Sequence, residues 1–230
     1  DDLLREKYGA ARQLVKSVDP HHAVSFRMTC AGDPLYNWDA ALTYDFYGLA
    51  GAVDIWEPEA YGRIGDWERV RPGAFTAAYA RLCDPAKPLI WAEMGYSVWD
   101  INKMAPDPEK LAFAGRYYAD FYRMMIQSGA DGVFFWWYPG GFRVGENSDF
   151  GIINPDGTDR PVTKVICSQG PRFLRAPKPG QPNHFIPVDR EHDARGLYGI
   201  YQAVQADFWK ALDDHRRPGL KWESRPGTTE

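Results

Sequence analysis

Four short apolar runs, each followed by a long polar and aromatic loop, constrain this chain more than any other feature. They are HHAVSFRMTC (21–30), AVDIW (52–56), PLIWA (88–92) and GVFFWWY (132–138). Helical stretches separate them, notably PGAFTAAYARLC (72–83) and residues 107–129. Runs nearly continuous in apolar residues and alternating with helices predict βα units and a parallel sheet. The loops after the runs are long and those before them short. That asymmetry is the one expected of a (β/α) barrel, whose active site sits where strands end. A doubly wound open sheet is the competing architecture. It commonly carries a Gly-rich phosphate turn after its first strand, and none occurs here.

The flanks fit the same reading. Leu3, Leu4, Tyr8, Ala11, Leu14, Val15 and Val18 recur at helical spacing and predict an opening helix over 2–17, stopped by Asp19-Pro20. Asp107 and Pro108 are an N-cap and a first-turn proline for the helix whose apolar face is Leu111, Ala114, Tyr118, Phe121 and Met125; Gly129 is its C-terminal glycine. Pro161–Gln169 reads as a short helix. Residues 1–175 are thus one expected unit. Residues 176–230 are a second: a Pro-rich extended linker (176–190), a helix over about 190–214 and a tail without clear structure. The chain opens inside a helix without an initiator Met or signal pattern. It reads as a fragment or a processed chain, and localisation stays open, secreted or periplasmic being compatible with it.

Composition excludes more than it selects. A net charge of −4 with no Lys/Arg block gives no nucleic-acid or anionic-membrane surface. No apolar run reaches the roughly 20 residues of a membrane-spanning helix. Cys30, Cys83 and Cys167 match no metal or disulfide spacing and read as buried or incidental thiols. The five histidines form no zinc pattern, and no cofactor is expected. Aromatic residues make up 15% of the chain, with nine Trp, many of them just after the strand-like runs. Such rings stack on sugars, although they also serve as plain packing residues.

The polar residues at the strand ends are therefore the candidate site. They are Arg27 and Thr29 after the first run; Asp54, Glu57, Glu59 and Tyr61 at the second; Glu93, Tyr96 and Trp99 at the third; Trp136, Trp137, Tyr138, Arg143, Glu146 and Asp149 at the fourth. Glycoside hydrolysis needs two carboxyl groups, about 5–5.5 Å apart in retaining enzymes. Strand alternation predicts that Trp136 and Trp137 point to opposite faces, so one of them lines the site.

KPLIWAEMG (87–95) resembles the seventh strand of clan A retaining glycoside hydrolases, the barrels that include many cellulases, mannanases and β-galactosidases. GADGVFFWWYPGG (129–141) resembles their eighth strand, and DFGIINPDGTDRPVTKVI (149–166) the stretch leading to the last helix. The resemblance implies a (β/α)8 barrel of which this chain holds strands five to eight. It implies that Glu93 is the nucleophile, that Tyr61 hydrogen-bonds it and that Trp136 is a sugar platform. Arg27, Glu59, Tyr96, Trp99, Trp137, Glu146 and Asp149 complete the expected substrate-binding set. The family's His-x-Tyr is Glu59-Ala60-Tyr61 here, so only the Tyr carries over.

One part of the family's pattern is absent. Its general acid is a Glu after an Asn at strand four, and no Asn-Glu pair occurs in this chain. The expected function is that of a glycoside hydrolase fragment, hydrolysing β-glycosides with retention through Glu93. Its expected partners are an oligo- or polysaccharide substrate and an N-terminal half-barrel segment that supplies the acid. Glu57 or Glu59 as acid is the divergent version. A non-catalytic carbohydrate-binding or scaffold barrel is the alternative, with Glu93 then a structural carboxylate paired to Arg27. An aldolase-type barrel is disfavoured because no Lys ends any of the four runs.

Overall fold

The computed structural model of the chain describes residues 1–28, 32–37, 45–190 and 195–223. Helix α1 (Asp2–Val18) comes first, then helix α2 (Phe46–Leu49), a 3-10 turn at Tyr61–Arg63 and helix α3 (Trp67–Val70). Helix α4 (Gly73–Cys83) leads to strand β1 (Ile90–Met94). A small hairpin of β2 (Trp99–Asp100) and β3 (Ala105–Pro106) precedes helix α5 (Pro108–Ser128) and strand β4 (Gly132–Phe135). Helix α6 (Pro161–Arg175), strand β5 (His184–Val188), helix α7 (Gly196–Asp213) and strand β6 (Pro218–Trp222) follow.

The four apolar runs lie side by side and parallel. Asp54 N donates to Val24 O (2.7 Å) and Met28 N to Glu57 O (3.0 Å). Trp56 N donates to Pro88 O and Ile90 N to Trp56 O, each at 2.9 Å. β1 then pairs with β4 in a parallel ladder. Helix α5 is built as its sequence dictates. The Asp107 carboxylate accepts from Glu109 N and Lys110 N, Pro108 occupies the first turn, and Gly129 closes the helix in the left-handed conformation at φ 69°. Its buried Tyr118, Phe121 and Met125 face the strands' helix-covered side. Trp91 is fully buried and meets Phe121 edge-on at 5.5 Å.

The closed (β/α)8 barrel is not formed. The sheets are β1–β4, β2–β3 and β5–β6, each two-stranded, and among the described residues none closes on itself. Closure requires a complete ring of strands with matched tilt and stagger. Here the parallel row is open, and the next pair, β5–β6, forms a separate sheet. Placement among the clan A barrels, and the numbering of these strands as five to eight, therefore do not stand.

Other local expectations change as well. Helix α1 buries no residue completely, because its apolar positions split into two sets. Leu4 and Tyr8 pack on the core, whereas Leu3 and Leu14 remain exposed. Helix α6 runs past Gln169 to Arg175. The stretch expected as linker and tail carries β5 and β6, paired in parallel from His184↔Pro218 to Val188↔Trp222. Tyr201 and Phe208 of α7 pack edge-on against Phe75 of α4, at 5.0 and 5.1 Å. Among the described residues no helix is long and apolar enough to cross a membrane.

Candidate functional site

Ring contacts set which way the parallel strands face. Phe135 packs on Tyr118 and Tyr122 of α5, at 5.1 and 6.0 Å. Trp91 packs on Phe121 of the same helix, and Trp56, bridged to Leu89, packs on Phe46 at 5.2 Å. These residues mark the helix-covered face. Alternation sends Phe134, Ile90 and Ile55 to the opposite face, where Phe134 is 63% exposed.

Glu93 lies two residues beyond Trp91, so plain alternation would turn it towards the helices. Trp91 pairs with Val133 and Met94 with Phe135, so three steps along β1 match two along β4. This bulge sets Ala92 and Glu93 together opposite Phe134 and delivers the carboxylate to the open face. Gly95 follows because the chain must pass the carbonyl of Trp136. A Cβ at Gly95 would lie 2.2 Å from that oxygen.

Three side chains meet Glu93 or its neighbour. Glu59 reaches the open face by alternation from Ile55 and Glu57, and it is bridged to Glu93 across the strands. Tyr61 OH donates to Glu93 Oε1 at 2.7 Å. Arg27 Nη1 donates to Glu93 Oε2 at 2.5 Å. Arg27 Nε sits 2.5 Å from Glu59 Oε1 but is not aligned for a hydrogen bond, so that contact is an ion pair only. Both oxygens of Glu93 are thus engaged. The Glu93 and Glu59 side chains are 14% and 6% exposed, while Arg27 is 55% exposed and forms the cover. Burial pushes the Glu59 carboxyl up; the Arg27 charge opposes this, and the Glu93 charge adds to the rise. Burial, then the bond to Glu93, pushes the Tyr61 phenol well up, so it remains a proton donor.

Trp99, Trp136 and Trp137 lie against the 142–148 turn, whereas Tyr96 packs on helix α5. β4 ends at Phe135, so strand alternation does not govern Trp136 and Trp137. The peptide bond between them is cis, and their rings touch at 5.1 Å instead of facing apart. Arg143 lies over both rings, 5.2 Å from Trp136 and 4.5 Å from Trp137, and pairs with Glu146 at 2.6 Å. Trp99 stacks on Phe142 at 4.6 Å, and Tyr96 packs on Phe113 at 4.7 Å.

Asp149, expected at a sugar hydroxyl, is instead fully buried and bound to Arg160. Nη1 donates to Oδ1 at 2.9 Å and Nη2 to Oδ2 at 2.6 Å. Burial acts to raise the Asp149 carboxyl, but the Arg160 bonds and charge leave it below the usual carboxylate range. Arg160 also donates to Asn154 Oδ1 and Gly151 O, pinning the base of the loop. Sequence reasoning used Arg160 only as the residue before Pro161, a helix-opening signal without a partner. Arg63 likewise carries no sequence signal. It is fully buried, stacks 4.3 Å over Trp91 and pairs with Asp33 at 3.5 Å. Asp54 lies away from the Glu93 cluster, paired to Arg12 and Lys16.

Among the described residues no group of three or more His, Cys, Asp or Glu is arranged to hold a metal. Cys83 is half-buried and Cys167 exposed; Cys30 and Thr29 lie outside the described residues.

No protein-family model matches the chain, and no curated protein sequence matches it. Similarity is found among solved structures. A GH5_18 variant from Streptomyces cattleya in complex with Manb1-4GlcNAc superimposes with a TM-score of 0.70 at 13% identity, covering 95% of this chain and 55% of that one. A GH5_18 structure from the same organism in complex with GlcNAc gives 0.58 at 15%, covering 84% and 49%. A β-galactosidase from the haloarchaeon Halorubrum lacusprofundi gives 0.66 at 14%, covering 98% and 35%. The chain spans about half the length of the two Streptomyces structures. At these identities the likeness is one of fold: the open parallel arrangement of this chain corresponds to part of each of those molecules.

Proposed function

We propose that this chain carries a carbohydrate-processing site in which Glu93 attacks the anomeric carbon of a β-glycoside and forms a glycosyl ester. The observation that carries this reading is the bulge in β1, which turns Glu93 out of the helix-covered face and into the grip of Tyr61 and Arg27. A bulge beside a site re-aims one side chain while the rest of the strand keeps its packing. Arg27 and Tyr61 each hold one oxygen of Glu93, which fixes the direction of the side chain towards the open face. The fold likeness to glycosidases, some bound to sugars, supports a glycan as the ligand.

The test does not depend on a proton donor. The chain is incubated with 2,4-dinitrophenyl 2-deoxy-2-fluoro-β-glycosides of glucose, mannose and galactose, whose leaving group departs unprotonated. The expected result is a glycosyl adduct on the peptide containing Glu93, absent in Glu93→Gln. In Glu93→Ala, azide should yield a glycosyl azide of inverted configuration. Labelling elsewhere, or none with any sugar, overturns the reading. The engagement of both Glu93 oxygens favours a second reading, a glycan-binding site without turnover. Sugar binding by calorimetry without labelling would select it.

A further inference from the structure

We infer that Glu59 is the proton donor and acceptor of this site, and that Arg27 is the movable cover that keeps it from acting until a sugar arrives. The inference rests on the reading of Glu93 as nucleophile. Its geometric basis is that one guanidinium serves both carboxylates, Nε at Glu59 and Nη1 at Glu93. Two oxygens held by different nitrogens of one guanidinium lie within about 7 Å of each other, a range that includes the separation at which paired carboxyls act on one glycosidic bond. The backbone bridge between Glu59 and Glu93 fixes that pairing on adjacent strands.

Arg27 lies over both carboxylates and donates to Glu93 Oε2, a bond that draws electron density from that oxygen and weakens it as a nucleophile. It is also the exposed member of the cluster, and Glu59 lies beneath it. Its departure has two consequences. It removes one hydrogen bond from Glu93 Oε2 and so raises the reactivity of that oxygen. It also removes the one charge that favours an ionised Glu59, leaving burial and the neighbouring Glu93 carboxylate to favour the acid form. The groups facing Glu59 are then Glu93 and Tyr61, and neither supplies positive charge. One movement thus uncovers Glu93 and favours the acid form of Glu59, the division of labour that two-carboxyl glycoside chemistry requires.

The chemistry balances. Glu93 forms a bond to C1 as the C1–O bond breaks, the electron pair goes to the leaving oxygen, and the Glu59 proton follows it. In the second half Glu59 takes a proton from water, the water oxygen bonds to C1, and Glu93 leaves as carboxylate.

The experiment compares wild type with Glu59→Ala and Glu59→Gln, on dinitrophenyl glycosides and on phenyl glycosides of the sugar that labels Glu93. Glu59→Ala should lose about 100-fold or more in kcat/KM on the phenyl glycoside, the scale of general acid catalysis. Its Glu93 labelling by the activated sugar should change less than tenfold. Azide should restore turnover and give a glycosyl azide of retained configuration, and the basic limb of the pH–rate profile should disappear. Glu59→Gln, which keeps the shape of the side chain, should show the same leaving-group dependence. Phenyl glycoside hydrolysis within threefold of wild type overturns the inference. So does lost activity without azide rescue, the signature of a structural role. Wild-type labelling at Glu93 with no phenyl glycoside turnover also overturns it. Absence of labelling in wild type sinks the nucleophile reading instead.

Discussion

Replacing Arg160 by Met should be among the most damaging single changes in this protein. Arg160 and Asp149 are 1% and 0% exposed at the side chain, and two parallel N–H···O bonds join them. Without Arg160, Asp149 keeps only backbone donors, Gly151 N at 2.9 Å and Gly141 N, and Gly151 O and Asn154 Oδ1 each lose a donor. Removing one partner of a buried pair strands the other charge and costs about 3–5 kcal/mol. In a domain of this size that corresponds to a fall in Tm of roughly 6–20 °C. The loss should be pH-dependent. Asp149 has a depressed folded-state carboxyl, so its contribution is present above the unfolded value near 3.9 and is lost as pH falls through the lower folded value. The gap between wild type and Arg160→Met should therefore be full at pH 7 and shrink below about pH 4. Urea unfolding followed by tryptophan fluorescence measures it. The double variant Asp149→Leu/Arg160→Met should recover much of the deficit, since an apolar pair of similar volume often replaces a buried ion pair without loss. A gap under about 1 kcal/mol at pH 7, or one undiminished at about pH 2, would refute the reasoning.

Three smaller perturbations test other links. Asp107→Ala removes the acceptor for two backbone donors at the start of α5 and should cost about 1 kcal/mol by urea titration. Gly95→Ala drives a Cβ against the Trp136 carbonyl and should destabilise by about 1–3 kcal/mol, with a changed tryptophan emission because the 136–137 backbone must move. Tyr61→Phe deletes one hydrogen bond to the Glu93 carboxyl, worth about 1.5–3 kcal/mol, and should lower Tm by roughly 3–12 °C and slow fluorosugar labelling of Glu93 by about tenfold or more.

Much of the local structure was legible because it rests on short-range chemistry. The Asp107-Pro108 start and Gly129 stop of α5 follow from capping geometry and the left-handed preference of glycine. The parallel order of the apolar runs followed from their continuity and their intervening helices. Barrel closure is not legible in the sequence. Each βα unit repeats the same local pattern whether or not the row of strands closes, so closure leaves no trace in any one unit. The β5–β6 pairing leaves little trace in the sequence, because both strands are short, mixed in burial and separated along the chain by helix α7. Among site residues, Asp149 looked like a loop carboxylate because its partner Arg160 is 11 residues away and marked only by the following proline.

The placement of Glu93 divides the two kinds of information most clearly. The sequence by itself determined that an isolated carboxylate ends an apolar run and is followed by a glycine, which is a matter of spacing along one strand. Only the tertiary structure decided where that carboxylate points. The bulge that turns it to the open face exists only relative to β4, because register is a property of two strands and not of one. Its partners are equally non-local: Tyr61 lies 32 residues away and Arg27 lies 66. Charge pairing depends on distance in space, and distances of that kind are set by the packing of the whole sheet against its helices.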